Sequence, residues 1–323
     1  MIKNLLILIN RNIVLIENYR LKSAFNIKHH FIDYIFAFNE FTQKIFRIYF
    51  RLFSVFGYLL NKKVSIRSMD FNLTTECSLK CKECASMMPF YDREHQYTIT
   101  FDQFKCDLDK LMQGVDKIYR LKLIGGEPLL VNDLDKMLDY TCKKKKVVSV
   151  EIITNGTLIL SDTLCSVLEK YKHKALVVIS DYTENKELKS IKINEIIDKL
   201  NAYGASWHIS DYRWFEKGDV YKRNRSADEI KKVFENCWQK DCIALMDGKF
   251  HTCTRSVAIE RLTDYEFLEG EFINIRAESN KELTKKMRQF FVRDYFSVCD
   301  FCMSCSDIRL SPAVQTSEVL TIK

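Results

Sequence analysis

The chain has 323 residues, 47% hydrophobic and 29% charged, with 22 Phe and 15 Tyr, which supplies core for roughly two domains and excludes a disordered or fibrous chain. Its net charge of +7 lies entirely in residues 1–63, where ten Lys and Arg stand against three acidic residues. The rest balances at 40 against 40, which argues against a body that binds nucleic acid.

The N-terminal segment, 1–63, is expected to be a basic, aromatic helical extension, richest at Lys44–Leu60. Packing as a cap on the body is its first reading. Peripheral contact with an anionic membrane surface is the second, and a partner protein the third. The apolar run Leu5–Ile9 is followed by Asn10 and Arg11 rather than a small-residue cleavage site. No stretch reaches the ~18 apolar residues of a membrane span. A cytoplasmic location follows, peripheral to the inner face of the membrane if the extension docks there. In that reducing compartment twelve cysteines point to metal rather than to disulfides.

Residues 64–226 alternate strand and helix, which argues for a parallel sheet in an α/β fold, closed or partial as a barrel. Strands are expected at 70–74, 121–124, 148–154, 175–180 and 206–209. Helices are expected at 101–114, 133–144, 162–171 and 187–203, with Ser161 or Asp162 as a cap and Gly204 as a stop. From 227 to 323 the alternation fades and six cysteines gather, which suggests a small metal-organised domain.

Cys77, Cys81 and Cys84 form a C-x3-C-x2-C loop just after the first strand. Three thiolates on one tight loop suit three irons of a [4Fe–4S] cluster and leave the fourth iron open. Ordinary loop thiols or zinc are the alternatives. This loop resembles the signature of the radical S-adenosylmethionine (SAM) superfamily. Gly125-Gly126-Glu127-Pro128, at the end of the next strand, is similar to that family's GGEP segment. The resemblance implies a partial (β/α)6 barrel, SAM bound on the open iron, and GGEP at the SAM amino group. Glycines there expose backbone, and the Glu127 carboxylate suits an ammonium. By the same resemblance Asn155 and Ser180, at the ends of the third and fourth strands, are candidates for the SAM ribose or carboxylate. The family's aromatic residue before the third cysteine is replaced by Glu83.

A second set comprises Cys237, Cys242, Cys253, Cys299, Cys302 and Cys305. The segment from Cys242 to Cys253 reads as a hairpin turning at Asp247-Gly248, with a cysteine at each end. It resembles the SPASM or twitch extensions that hold an auxiliary [4Fe–4S] cluster. The expected ligands are Cys242, Cys253, Cys299 and Cys302, with Cys237 and Cys305 as alternates; structural zinc is the competing reading. Cys106, Cys142 and Cys165 are expected to be buried small residues inside helices. His208, Asp211, Arg213 and Arg255 are further polar residues near the expected barrel mouth.

The resemblance implies reductive cleavage of SAM to a 5′-deoxyadenosyl radical that abstracts hydrogen from a substrate. An electron donor such as flavodoxin or ferredoxin is then required. An auxiliary cluster fits net oxidation or epimerisation. The segments 77–91 and 299–315 resemble radical SAM proteins linked to glycan functions, which favours a sugar, sugar nucleotide or glycolipid intermediate. Maturation of a ribosomal peptide and a non-catalytic iron–sulfur or zinc protein are the alternatives.

Overall fold

A computed structural model describes residues 63–211, 214–240, 242–303 and 309–316. The expected N-terminal extension through residue 62 lies outside the described residues, as do Arg213 and Cys305. No described helix is long and apolar enough to cross a membrane.

Strand and helix alternate through β1 (Val64–Asn72), α1 (Phe101–Gly114), β2 (Val115–Ile124), α2 (Leu134–Cys142), β3 (Val147–Thr154), α3 (Asp162–Lys170), β4 (Ala175–Ser180), α4 (Ile193–Ala202) and β5 (Trp207–Ser210). The five strands are parallel neighbours in the order β5-β4-β3-β2-β1. α5 (Ala227–Glu235) leads to β6 (Cys242–Met246), which pairs parallel with the other side of β1. Six parallel strands result, and the sheet stays open, as a partial barrel requires. The sixth lies beside β1 rather than beside β5.

β6 then turns into β7 (Lys249–His251), antiparallel to it, and α6 (Thr254–Leu262), β8 (Ile273–Asn274) and α7 (Asn280–Phe291) follow. Asp247 and Gly248 both hold positive φ, 49° and 70°, which a two-residue hairpin turn demands. The boundary expected at 226/227 thus falls between β5 and α5, and the sheet runs on across it through β6.

Local chemistry sets the helix ends. Thr100 and Gln103 form a capping box on α1, and Ser226 and Glu229 form one on α5. Ser161, rather than Asp162, caps α3, and Gly204 ends α4 at φ 65°. The sheet has two differently used faces. Phe71, Leu121, Leu123, Ile152, Val177 and Ile179 pack in the core with the helices. The alternate positions Asp70, Lys122, Ile124, Ile153 and Ser180 line a cavity on the other face. β1 and β2 begin six residues earlier than the sequence pattern suggested, because their charged residues face this cavity and break the apolar run.

Cys142 and Cys165 are buried as expected, but Cys106 is exposed. It lies on the solvent face of α1, whereas Asp107 beside it is fully buried and bound by Arg276 Nε and Nη2 at 2.6 and 2.8 Å.

Candidate functional site

Cys77, Cys81 and Cys84 lie on the loop after β1 and line a cavity of about 400 Å³ at the carboxyl end of the sheet. Leu79, Cys81 and Ala313 form a small buried cluster, with Cys77, Cys84, Tyr182 and Trp214 packed against it. Burial pushes the Cys77 thiol up to about 12, and the neighbouring Cys84 and Glu127 charges add to it. Burial first, then the neighbouring thiols, also raises Cys81. Leu79 N and Asn155 Nδ2 approach Cys77 Sγ at 3.5 and 3.6 Å, and Gln315 Nε2 approaches Cys81 Sγ at 3.4 Å. Three thiols whose charges oppose one another, with N–H donors at two of the sulfurs, fit a positively charged iron–sulfur core that would hold them as thiolates.

The glycine turn is laid against this loop. Gly126 N donates to Thr74 O at 2.7 Å and Glu127 N to Glu76 O at 2.8 Å. A Cβ on Gly125 would sit 2.3 Å from Thr74 O, and one on Gly126 would sit 2.0 Å from Glu76 O. Both neighbours are backbone, so nothing can swing aside. Gly126→Ala is therefore expected to cost about 3 kcal/mol or more, read as a lower thermal midpoint together with reduced iron uptake; a wild-type midpoint would contradict the packing.

Gly125, Gly126, Asn155 and Ser180 reach the cavity wall, whereas Glu127 and Pro128 do not. Glu127 is fully buried and accepts from Leu129 N at 3.1 Å, Thr154 Oγ1 at 2.9 Å and Asn155 N at 2.8 Å. Its carboxylate ties the turn after β2 to the end of β3 and lies off the cavity wall. Pro128 is buried at the start of a short 3-10 turn, Pro128–Leu130.

Burial raises the Glu127 carboxyl to about 7, against the hydrogen bonds that favour its charged form. Between about 4.5 and 7 the unfolded chain has released a proton that the folded chain keeps, so rising pH favours unfolding. The expected result is a thermal midpoint that falls across this window, with a shallower slope in Glu127→Gln. Equal slopes would contradict it.

Asn155 Nδ2 also donates to Ser78 Oγ at 3.0 Å, and its Oδ1 accepts from Thr157 Oγ1 at 2.7 Å. Asn155 is thus a brace between β3 and the cysteine loop as well as a wall residue. A second brace has no signal in the sequence. Residues 310–316 return to the site, with Cys81 bridged to Gln315, Lys82 N on Val314 O and Thr316 N on Lys80 O. Pairing of this kind, 234 residues apart, leaves no local periodicity to read.

The second cysteine set assembles differently from expectation. Burial raises Cys253 to about 12, with Cys302 and Cys237 close enough to add to it. Burial likewise raises Cys299, with Cys253, Cys302 and Cys237 adding. Cys237, Cys253, Cys299 and Cys302 thus lie within electrostatic reach of one another, and Cys242 is not among them. Its thiol lies on the cavity wall, 3.3 Å from Lys122 Nζ, which also meets Asp70 Oδ1 at 2.8 Å. Burial pushes it up to about 11. Among the described residues no three Cys, His, Asp or Glu side chains approach closely enough to share one metal ion.

Two ion pairs were also hidden from sequence reading: Asp70–Lys122 on the cavity wall, and Arg120 of that wall with the buried Glu151 at 3.2 Å. Of the other polar candidates, His208 is not on the cavity wall, Asp211 pairs with Arg309 at 3.2 Å, and Arg255 is buried. Glu83 accepts from Lys217 N at 3.0 Å. Tyr182 and Trp214, edge to face at 5.7 Å, give the cavity the aromatic surface that Glu83 does not.

No family model matches the sequence. The chain is 36% identical over 119 residues to the antilisterial bacteriocin subtilosin biosynthesis protein AlbA of Bacillus subtilis, covering 36% of this chain and 25% of that one. It therefore spans about a quarter of that relative's length. It is 25% identical over 281 residues to the GTP 3′,8-cyclase of Campylobacter jejuni, covering 80% and 83%. Among solved structures, BtrN in complex with AdoMet and 2-DOIA is similar at TM-score 0.46 and 15% identity, covering 79% of this chain and 98% of that one. The two sequence relatives are radical SAM enzymes, the cyclase matching along 80% of this chain, and the three-cysteine loop with the glycine turn packed on it is the part of the chain that resembles that superfamily's signature.

Proposed function

We propose that Cys77, Cys81 and Cys84 hold a [4Fe–4S] cluster, that SAM binds in the adjoining cavity, and that the substrate is a small polar molecule of the sugar type. The observation that carries this reading is the convergence of the three thiols with Gly125, Gly126, Asn155 and Ser180 around one cavity. When bound, the reduced cluster and SAM supply a 5′-deoxyadenosyl radical that takes hydrogen from the substrate.

The chain's own residues do the rest. Gly125 and Gly126 present backbone to the SAM amino group, Asn155 and Ser180 present polar side chains, and Tyr182 and Trp214 offer ring faces for the adenine. Cys237, Cys253, Cys299 and Cys302 hold a second cluster, placed to accept or relay an electron in an oxidation or epimerisation.

A cavity of about 400 Å³ is of the size that takes one small-molecule ligand such as SAM. Asp70, Arg120 and Lys122 offer donors and acceptors for hydroxyl groups, and Trp238, 54% exposed at the rim, offers a stacking face. A ribosomal peptide is the second reading, favoured by the similarity to a bacteriocin biosynthesis protein. The test is 5′-deoxyadenosine formation by the anaerobically reconstituted protein with SAM and a strong reductant. Parallel vessels would receive sugar nucleotides, free sugars or a peptide. Stimulation by at least about tenfold from a sugar-type compound is expected; stimulation by peptide alone would replace the sugar reading.

A further inference from the structure

Arg255 is the second residue of α6 and is only 6% exposed. Its Nη2 donates to Asp219 O at 2.7 Å. Its Nε and Nη1 are buried and have no partner among the described residues. A buried guanidinium with donors unused is costly, so it is retained where an anion completes it.

Two observations locate that anion. Arg255 follows Cys253, of the second cysteine group, by two residues in the turn where Cys253 Sγ accepts from Ser256 N at 3.4 Å. The Asp219 carbonyl that holds its guanidinium lies two residues from Lys217, whose N–H donates to Glu83, the neighbour of Cys84 in the first group, at 3.0 Å. The residue thus stands between the two groups, with backbone at one and guanidinium at the other.

We infer that Arg255 is a positioning residue whose buried Nε–H and Nη1–H groups donate to sulfur of the cluster on Cys77, Cys81 and Cys84, and that its charge makes this cluster easier to reduce. The inference rests on the cluster reading above. Reduction adds one negative charge to the cluster. A fixed cation in a low-dielectric site stabilises that added charge, and hydrogen bonds to sulfur act in the same direction.

The test is a potentiometric titration followed by electron paramagnetic resonance, on reconstituted wild-type chain, Arg255→Met and Arg255→Lys. The cysteine-loop cluster is recognised by the change in its signal on adding SAM. Arg255→Met is expected to keep wild-type iron and to show about tenfold less reduced cluster at a fixed potential, a shift of about 59 mV for one electron. Arg255→Lys, which keeps the charge, is expected to recover most of it. A wild-type potential in Arg255→Met, or a loss in Arg255→Lys as large as in Arg255→Met, would overturn the inference. Should Arg255→Met fail to load iron, Arg255→Gln, which keeps donors without charge, takes its place, with a smaller shift in the same direction expected and a wild-type potential overturning the inference. A wild-type chain that binds neither iron nor sulfide would instead remove the cluster reading itself, before any variant is compared.

Discussion

Cys81→Ala is expected to abolish 5′-deoxyadenosine formation while the chain stays folded. The loss should exceed the roughly 10–100-fold that removing a group behind a metal ligand costs, because a ligand itself is gone. The fold should tolerate it. The strap 310–316 pairs with this loop through backbone groups, Lys82 N on Val314 O and Thr316 N on Lys80 O, and those contacts do not involve the thiol. Removing one sulfur from a small buried cluster costs about 1 kcal/mol. Product quantified by chromatography, beside a thermal melt of both proteins, checks both halves. Retained cleavage would remove the assignment of Cys81.

The paired substitutions Cys237→Ala and Cys242→Ala are expected to separate sharply. Cys237 lies within electrostatic reach of Cys253 and Cys299, so its loss should lower bound iron by about four per chain, one cluster's worth. Cys242 faces Lys122 and Asp70 inside the barrel, so its loss should leave iron unchanged. Iron and sulfide analysis after reconstitution distinguishes them. The reverse result, iron lost with Cys242 and kept without Cys237, would overturn the ligand set drawn from the geometry.

That exchange of one cysteine for another shows where sequence reasoning stops. The hairpin from Cys242 to Cys253 is legible, because Asp247-Gly248 is a turn dipeptide between apolar residues, and the turn forms there. The side on which each thiol falls is not legible. Cys242 shares the face of Ala244 and Met246, which β6 turns to the barrel interior once it pairs with β1. Cys253 lies past the end of β7 and caps α6, free of that alternation. Which face of a strand is the inside depends on its neighbour, and β6 finds that neighbour about 170 residues earlier in the chain.

The sequence by itself determined the three-cysteine loop, the glycine turn and the order of β/α units. Each of these rests on local chemistry: spacing on a loop, glycines where only backbone fits, and apolar periodicity. Helix α1 and strand β4 match the pattern residue for residue, since nothing distant competes with their periodicity. The tertiary structure alone decided the inward turn of Glu127, whose three hydrogen-bond donors come from two separate segments. It alone decided the place of Gln315 behind Cys81, the electrostatic link of Cys237 to Cys299, and the two guanidinium donors of Arg255 left without a partner among the described residues. The division has a physical origin. A residue's conformation is biased by its chain neighbours, but what a buried polar atom meets is set by elements that pack together from remote parts of the chain.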